Sequence, residues 1–598
     1  LYWDIETRQD FSEPIYIGEI KGYKIKDVIL VAYYKNYKET DFEKIVFVSN
    51  RDKLSARQFL DWLSSQADYK KFYNCIAHNG SRFDMFFLMN QLTEQEKDTT
   101  EFQLRGTSII GLQYKSHLFK DSCCFLTNSL DNLCTSFKID TPKLKEFEYN
   151  GKILTNTELC FYKPELDIWE FLELQNTEPE FWELYVEYCF IDCKSLSQIW
   201  EKFCYETNTL LETMDKRILK TCNAMSCNTI GSLAMKTLKA LNTRNKNYKS
   251  LKLFMDNDKE KYDFLCNFKR GGISHCNQMG KHNHPTCSYD ITSQYPTACN
   301  EMKIPVGESE FTTTYEGYGF YHLKNLQFEN TKKFKPIATK NINGILDWNT
   351  GETIDEAYLD SEMIDYLEKH YGLKSFEVIR GLYSKDKHMI KGHKLFGKYV
   401  DTLFEAKAYQ DELLNKIYDE IKIILINEED IDADIIDEKY FKKVMKNKIK
   451  FKLDTTKDKI DDIQNKSEYN SGLREVIKLF LNSLTGKCVE DMTQYYKYSY
   501  CEIKENEKDD FDDMNEAELT QYNLKKLNNL YVEKKKQKEN LNEFLVCGIS
   551  IYSYSKRLLF EYIRQLPNNS TDVIHVETDS MYFDRRLEKK FIKNVKNY

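Results

Sequence analysis

The run Ser288-Tyr289-Asp290-Ile291-Thr292-Ser293-Gln294-Tyr295-Pro296 constrains this chain more than any other stretch. Its alternating start reads as a strand, the strand ends at an acid, and Pro296 breaks it. A carboxylate at a strand end can hold a divalent cation, and Tyr295 can pack on a flat or ring-shaped substrate. One such carboxylate does little alone. The reading has content only if other parts of the chain bring partners to Asp290. At 598 residues the chain is long enough for several domains, so those partners can lie far away in sequence.

Candidate acids recur along the chain. Leu1-Tyr2-Trp3-Asp4-Ile5-Glu6-Thr7 alternates as a strand does, which places Asp4 and Glu6 on one face. Two carboxylates so close repel unless a cation lies between them. Val28 to Tyr34 and Ile45 to Ser49 predict further strands, and Phe59 to Ser65 a short helix. In the run from Ala77 to Leu88, a glycine turn leads into an apolar helix with Asn79 and Asp84 at its mouth. Tyr188 and Asp192 lie four apart in a helical pattern and so share a face.

The later segments add cations and a second acidic turn. Phe268-Lys269-Arg270-Gly271-Gly272-Ile273 combines two cations with two glycines, which lets backbone approach a phosphate. Phe396 onward predicts a long amphipathic helix reaching an acidic tip near Asp430, with a Lys-rich return. Arg474, Lys478 and Asn482 share one face of a following helix, and with Lys407 they predict a cationic wall suited to a triphosphate. Thr571 to Phe583 reads as two strands around an acidic turn holding Glu577 and Asp579. Cys266, His275, Cys276, His282, His284 and Cys287 are zinc-ligand types, but their spacing fits no zinc pattern and predicts packing or loop residues.

Net charge does not exclude a polyanionic partner. Glu428 to Glu438 holds seven acids and no base, and Glu502 to Glu518 holds nine acids against two Lys. These two runs carry −14 within a chain of net −9, leaving +5 elsewhere. No apolar run is long enough for a membrane span. The 17 Cys form no CxxC and no regular spacing, which fits a reducing, intracellular setting: mitochondrial, cytoplasmic or that of a viral element.

Taken in order, Asp4/Glu6, Asp84, Asp192, Asp290, Lys478 and Asp579 resemble the motif series of family B DNA polymerases. The first three sets resemble its exonuclease motifs DxE, NxxxFD and YxxxD. Segments 288–296, 474–487 and 571–583 resemble its three polymerase motifs. The Ser129-Leu130 segment, the Gly271-Gly272 linker and the insertions resemble the protein-primed group of bacteriophages, linear plasmids and adenoviruses.

The resemblance implies an α+β, multidomain fold. An RNase H-like 3′–5′ exonuclease domain would span 1–205 and a helical connection 206–265. A right-hand polymerase palm and fingers would span 266–598, with insertions near 300–395, 425–470 and 488–544. The thumb is expected to be missing or truncated, since the chain stops 19 residues past Asp579. Two Mg²⁺ (or Mn²⁺) ions are implied at each site: on Asp290 and Asp579 with Glu577 beside them, and on Asp4, Glu6, Asp84 and Asp192 with Tyr188 orienting the water.

Further roles follow from the same resemblance. Lys478, Arg474, Lys407 and Asn482 would grip the incoming dNTP, and Ser293 and Tyr295 would meet its sugar. Thr7, Asn79, Phe83, Ser129 and Leu130 fall at ligands of single-stranded DNA, and Gly271 and Gly272 at a segment touching the template. Lys143 and Lys145 compete for the place of an exonuclease lysine. The implied partners are DNA template and primer, dNTPs and a terminal protein as primer, with no membrane. The chain departs from the family pattern at Lys269, Gln294, Thr485, His575 and Glu577. Those departures keep two other readings open: an exonuclease with a degenerate polymerase half, and a non-catalytic DNA-binding remnant.

Overall fold

A computed structural model describes the chain except for residues 18–19, 36–40, 67–71, 142–144, 330–333, 341–345, 350, 446–448, 491–496, 501–513, 515–517, 520–523, 528–529, 535–540 and 597–598. Among the described residues no helix is long and apolar enough to cross a membrane.

The first body is organised on a ten-stranded sheet. Tyr2–Ile17 lies near one end of it, antiparallel to Ile20–Lys35 and parallel to Asn74–Ala77. Alternation along the strands assigns each face a separate core. Trp3, Ile5, Leu30 and Ala32 are buried with Phe59, Leu60 and Leu63 of the helix Ser55–Gln66. Tyr2, Ile29 and Val31 are buried with Tyr185, Tyr188 and Cys189 of the helix Pro179–Asp215. Asp4 and Glu6 have the parity of Tyr2, so they turn toward the long helix that carries Tyr188 and Asp192. That helix is 37 residues long and runs through the expected boundary at 205/206 without a break.

The second body holds a four-stranded antiparallel sheet in the order Ser274–Cys276, Val573–Glu577, Ser580–Asp584, Thr286–Asp290. Helices Gln294–Glu301, His393–Glu429, Ser471–Cys488 and Leu545–Ile563 pack against one another, and the first of them follows directly on the strand Thr286–Asp290. The helix His393–Glu429 has 37 residues, about 55 Å at 1.5 Å per residue. Its far half builds a small separate core: Ile417, Ile421 and Leu425 bury against Ile436, Phe441, Val444 and Ile460. The 300–395 insertion folds as a four-stranded sheet with the helix Ser361–Tyr371 on it.

Two expectations need correction. Pro296 does not end an element. The chain turns at Ser293, whose φ is 56°, and Pro296 lies inside the helix Gln294–Glu301; in the first turn of a helix its missing N–H has no carbonyl to serve. The 488–544 insertion was expected to belong with the palm and fingers. Its described strands Lys497–Tyr500, Leu530–Lys534 and Leu524–Leu527 instead extend the first sheet at the edge strand Glu101–Arg105, with Lys497 opposite Gln103 and Tyr498 opposite Phe102. Tyr498 stacks on Phe102, and Tyr500 meets the same ring edge-on. An open edge accepts any strand whose aromatic face suits it. The rest of that insertion lies largely outside the described residues.

Candidate active sites

In the first body, one cleft is lined by Asp4, Glu6, Asn79, Phe83, Asp84, Leu130, Tyr188 and Asp192, drawn from strand, turn and helix. Asp84 opens the helix Asp84–Asn90 and is 5% exposed; Asp192 is 8% exposed. Burial, then the charges of Asp4 and Asp121, push the Asp84 carboxyl well above the usual carboxylate range. Burial, then Asp192 and Glu6, push the Tyr188 phenol up as well, so it stays a protonated donor. Such crowding of buried negative charge is relieved by a divalent cation. The donor set of four carboxylates fits one. Among the described residues, the ligating atoms of Asp4, Glu6 and Cys189 lie within 4.8 Å of one another.

Some residues here carry no sequence signal. Asp121 is fully buried and accepts the backbone N–H groups of Asn79 at 2.8 Å, Ser81 at 3.1 Å and Cys123 at 2.8 Å. It thus holds the turn that presents Asn79 and Asp84, and Asn79 adopts φ 68° there. His78 also lines the cleft, with Nδ1 2.8 Å from Ser122 Oγ. Cys189 lies 3.9 Å from Asp4 Oδ2 and Cys160 3.9 Å from Glu6 Oε2.

Other expected ligands stand differently. Thr7 lies at a register shift of its strand. Exposed Ser129 caps the helix Leu130–Phe137 by accepting Asn132 N–H at 3.4 Å. Lys145 is tied to Asp131 at 2.7 Å, and Lys143 lies outside the described residues.

In the second body, Asp290 and Asp579 meet across adjacent strands. Asp290 pairs in register with Ser580, and Ile291 N–H donates to the Asp579 carbonyl at 2.9 Å. Burial, then the Asp290 carboxylate, raises the Asp579 carboxyl above its ordinary value. Thr578 and Asp579 form a two-residue turn, with Thr578 at φ 56°. This pair too is a donor set that fits divalent cations.

Glu577, two residues before Asp579, is exposed, and its carboxylate takes Ser274 Oγ at 3.0 Å and lies 3.3 Å from His575 Nε2. The strand Ser274–Cys276 that pairs with it supplies this partner.

Tyr295 lies against Tyr552 with ring centroids 5.7 Å apart, and burial raises its phenol. A Cβ on Gly272 would come within 2.9 Å of both Tyr295 Oη and Thr578 Cγ2, so this glycine is fixed by close approach. Gly271 has open space around it. Gln294 is buried and donates to the Ser555 carbonyl at 3.1 Å, tying the helix that carries Tyr295 to the helix Leu545–Ile563.

The cationic wall is partly neutralised. Asp411, one turn after Lys407, accepts Arg474 Nε at 2.8 Å and lies 3.6 Å from Lys407 Nζ. Lys478 and Asn482 are exposed on the same helix face. Buried Thr485 packs where the helix Ser471–Cys488 meets the Cys299 thiol. Among the described residues, Cys266, His275, Cys276, His282, His284 and Cys287 do not gather at metal-binding distance.

Residues 68–428 match the family model described as DNA polymerase type B, organellar and viral. A probable DNA polymerase of Ascobolus immersus is 22% identical over 626 residues, covering 99% of this chain and 43% of that protein. The chain therefore spans less than half the length of this curated relative. Phi29 DNA polymerase complexed with primer-template DNA and incoming nucleotide substrates superposes with a TM-score of 0.57 at 15% identity, covering 98% of this chain and 79% of that one. Its orthorhombic crystal form gives 0.56 at 16% identity, with 98% and 80% covered. At such identities the likeness shows a shared fold.

Proposed function

The chain belongs to the organellar and viral type B DNA polymerases, and on that premise we propose that it adds dNTPs to a DNA primer and removes mispaired ends by 3′–5′ exonuclease action. The observation that carries the polymerase reading is the meeting of Asp290 and Asp579, remote in sequence, across two paired strands. Asp290 and Asp579 would hold the cations of the polymerase site, and Asp4, Glu6, Asp84 and Asp192 those of the exonuclease site. Divalent Mg²⁺ or Mn²⁺ would supply activation of the attacking oxygen and charge relief at the leaving oxygen.

The chain's own residues do the rest. Lys478 offers an exposed ammonium to the triphosphate, while Asp411 holds Arg474 and Lys407 in place behind it. Tyr295, braced by Tyr552 and by the absence of a side chain at Gly272, packs against the sugar and excludes a 2′-hydroxyl. At the other site the protonated Tyr188 donates to the attacking water, and Phe83, 40% exposed, offers a ring to a frayed base.

Initiation on a hydroxyl of a terminal protein is part of this proposal. It is supported by the folded 300–395 insertion beside the palm. The domain limits 1–205, 206–265 and 266–598 are proposed with two changes: the helix Pro179–Asp215 bridges the first pair, and the 488–544 strands belong with the first sheet.

Primer extension with the wild type and with Asp290→Ala and Asp579→Ala tests the reading. Extension by the wild type alone supports it. A wild type that degrades single strands yet adds no nucleotide overturns it in favour of an exonuclease with a degenerate polymerase half, the reading to which the departures at Glu577 and Thr485 point.

A further inference from the structure

Cys189 is fully buried on the helix Pro179–Asp215, against the acids of the first cleft. Buried cysteines as a rule pack as small apolar groups. This one turns its thiol on a carboxylate. Its Sγ lies 3.7 Å from the Asp4 carbonyl oxygen and 3.9 Å from Asp4 Oδ2. A second thiol does the same from another element: Cys160, at the end of the helix Asn156–Cys160, lies 3.9 Å from Glu6 Oε2. Each acid of the Asp4 and Glu6 pair thus has a thiol beside it. Among the described residues, Asp4, Glu6 and Cys189 are the one set of three Cys, His, Asp or Glu side chains whose ligating atoms lie within 4.8 Å of one another. Among those residues, Asp290 and Asp579 have no third ligand of these types at that distance.

Sulfur in a donor set changes which ion the set prefers. Mg²⁺ takes oxygen ligands and gains little from a thiol. Zn²⁺ bonds thiolate strongly, at about 2.3 Å to sulfur and about 2.0–2.2 Å to carboxylate oxygen. Burial, then Cys193 and the charge of Asp4, push the Cys189 thiol well up, so it stays protonated beside an oxygen-seeking ion. An ion with a strong bond to sulfur offsets the cost of ionising it, and the thiol proton leaves to solvent as the metal–sulfur bond forms. An ion drawn toward sulfur also stands off the position that oxygen ligands alone would give. A displacement near 1 Å costs about a hundredfold at a reacting centre.

We propose that Asp4, Glu6 and Cys189 form a site for a thiophilic divalent cation, Zn²⁺ above all, which on these mixed oxygen and sulfur ligands takes the place of Mg²⁺ and silences the first cleft while sparing the pair Asp290 and Asp579. The silencing rests on the exonuclease reading of that cleft. The binding does not.

Zinc-edge X-ray absorption of the reduced wild type carrying one equivalent of Zn²⁺, without DNA, tests the binding. The expected shell has sulfur at about 2.3 Å beside oxygen at about 2.0 Å. Cys189→Ala should remove that sulfur and weaken Zn²⁺ binding about tenfold or more. A shell of oxygen alone or of sulfur alone in the wild type, which needs no variant to read, overturns the site. So does a mixed shell that survives Cys189→Ala. Degradation and extension are then followed on one preparation in Mg²⁺ with added Zn²⁺. Degradation should fall at about tenfold less Zn²⁺ than extension does; equal sensitivity of the two overturns the silencing. If the mixed shell forms but the wild type degrades no strand even without Zn²⁺, the exonuclease reading fails and the metal site stands.

Discussion

The two carboxylate sites are built from the same parts and differ in how much charge the fold stores. In the exonuclease-like cleft, Asp84 and Asp192 are buried, and Asp121, also buried, fixes the turn beside them. The Asp84 carboxyl is correspondingly forced up by burial and by its neighbours. In the polymerase-like site, Asp290 is exposed at the end of its strand and Asp579 sits half-buried in a two-residue turn. The first arrangement holds its geometry before anything binds, at a cost in stability. The second is open, as the proposed binding of a duplex end and a triphosphate requires. Burial of the acids therefore separates a preset cleft from one completed by its substrates.

The widest separation is expected from the acids themselves. Asp290→Ala or Asp579→Ala should lower primer extension by roughly a thousandfold or more and leave single-strand degradation intact, with Asp4→Ala and Asp84→Ala doing the reverse. Gel-resolved extension and degradation on one end-labelled strand measure both. Parallel loss of the two activities in any of these variants would erase the distinction between the sites.

Next in size is Gly272→Ala. Its Cβ would meet Tyr295 Oη and Thr578 Cγ2 at 2.9 Å, so the turn or the tyrosine must move. A displacement near 1 Å costs about a hundredfold when the group positions a substrate. Single-nucleotide kinetics should show a lower kcat and weaker exclusion of ribonucleotides, while degradation is untouched.

Glu577→Gln should cost less than about tenfold in extension, since its exposed carboxylate is held by Ser274 and lies by His575. A loss as large as that of Asp579→Asn would place Glu577 among the reacting groups.

The smallest effect is on stability, and its sign follows from linkage. The folded Asp84 carboxyl has a raised pKa, so the folded chain binds more protons than the unfolded chain above the unfolded value of about 3.9. This group's contribution is therefore best at low pH and falls as pH rises through the folded value. At neutral pH in EDTA, Asp84→Asn should raise the Tm by a few degrees, and Asp290→Asn should move it much less. Saturating Mg²⁺ should narrow or invert the first difference, because the wild type gains binding energy there. Calorimetry at pH 5 and 8 checks this; a lower Tm for Asp84→Asn in EDTA at pH 8 would contradict the stored charge.

Much of this was legible in the sequence, and for particular reasons. Alternation around Asp4 and Glu6 shows that both acids share a face, and the four-residue spacing of Tyr188 and Asp192 does the same for the helix. Asp290 at a strand end and Asp579 in a tight turn follow from local pattern alone. Partners chosen by packing were not legible. Asp411 neutralising Arg474, Ser274 holding Glu577, and Asp121 bracing the turn at Asn79 each involve a residue whose own neighbours in sequence give no cue. Ser129 reads as a ligand of single-stranded DNA by position, and its hydroxyl oxygen also caps the helix that follows it.

The sequence by itself determined which side chains are candidates for the chemistry and which face of its own element each occupies, because strand and helix periods are properties of the backbone. Only the tertiary structure decided that Asp290 meets Asp579, that Ser274 holds Glu577, that strands after Lys497 extend the first sheet, and that the Cys189 thiol lies beside Asp4. Such contacts depend on burial and on competition among distant partners, and neither is encoded in any one stretch of chain.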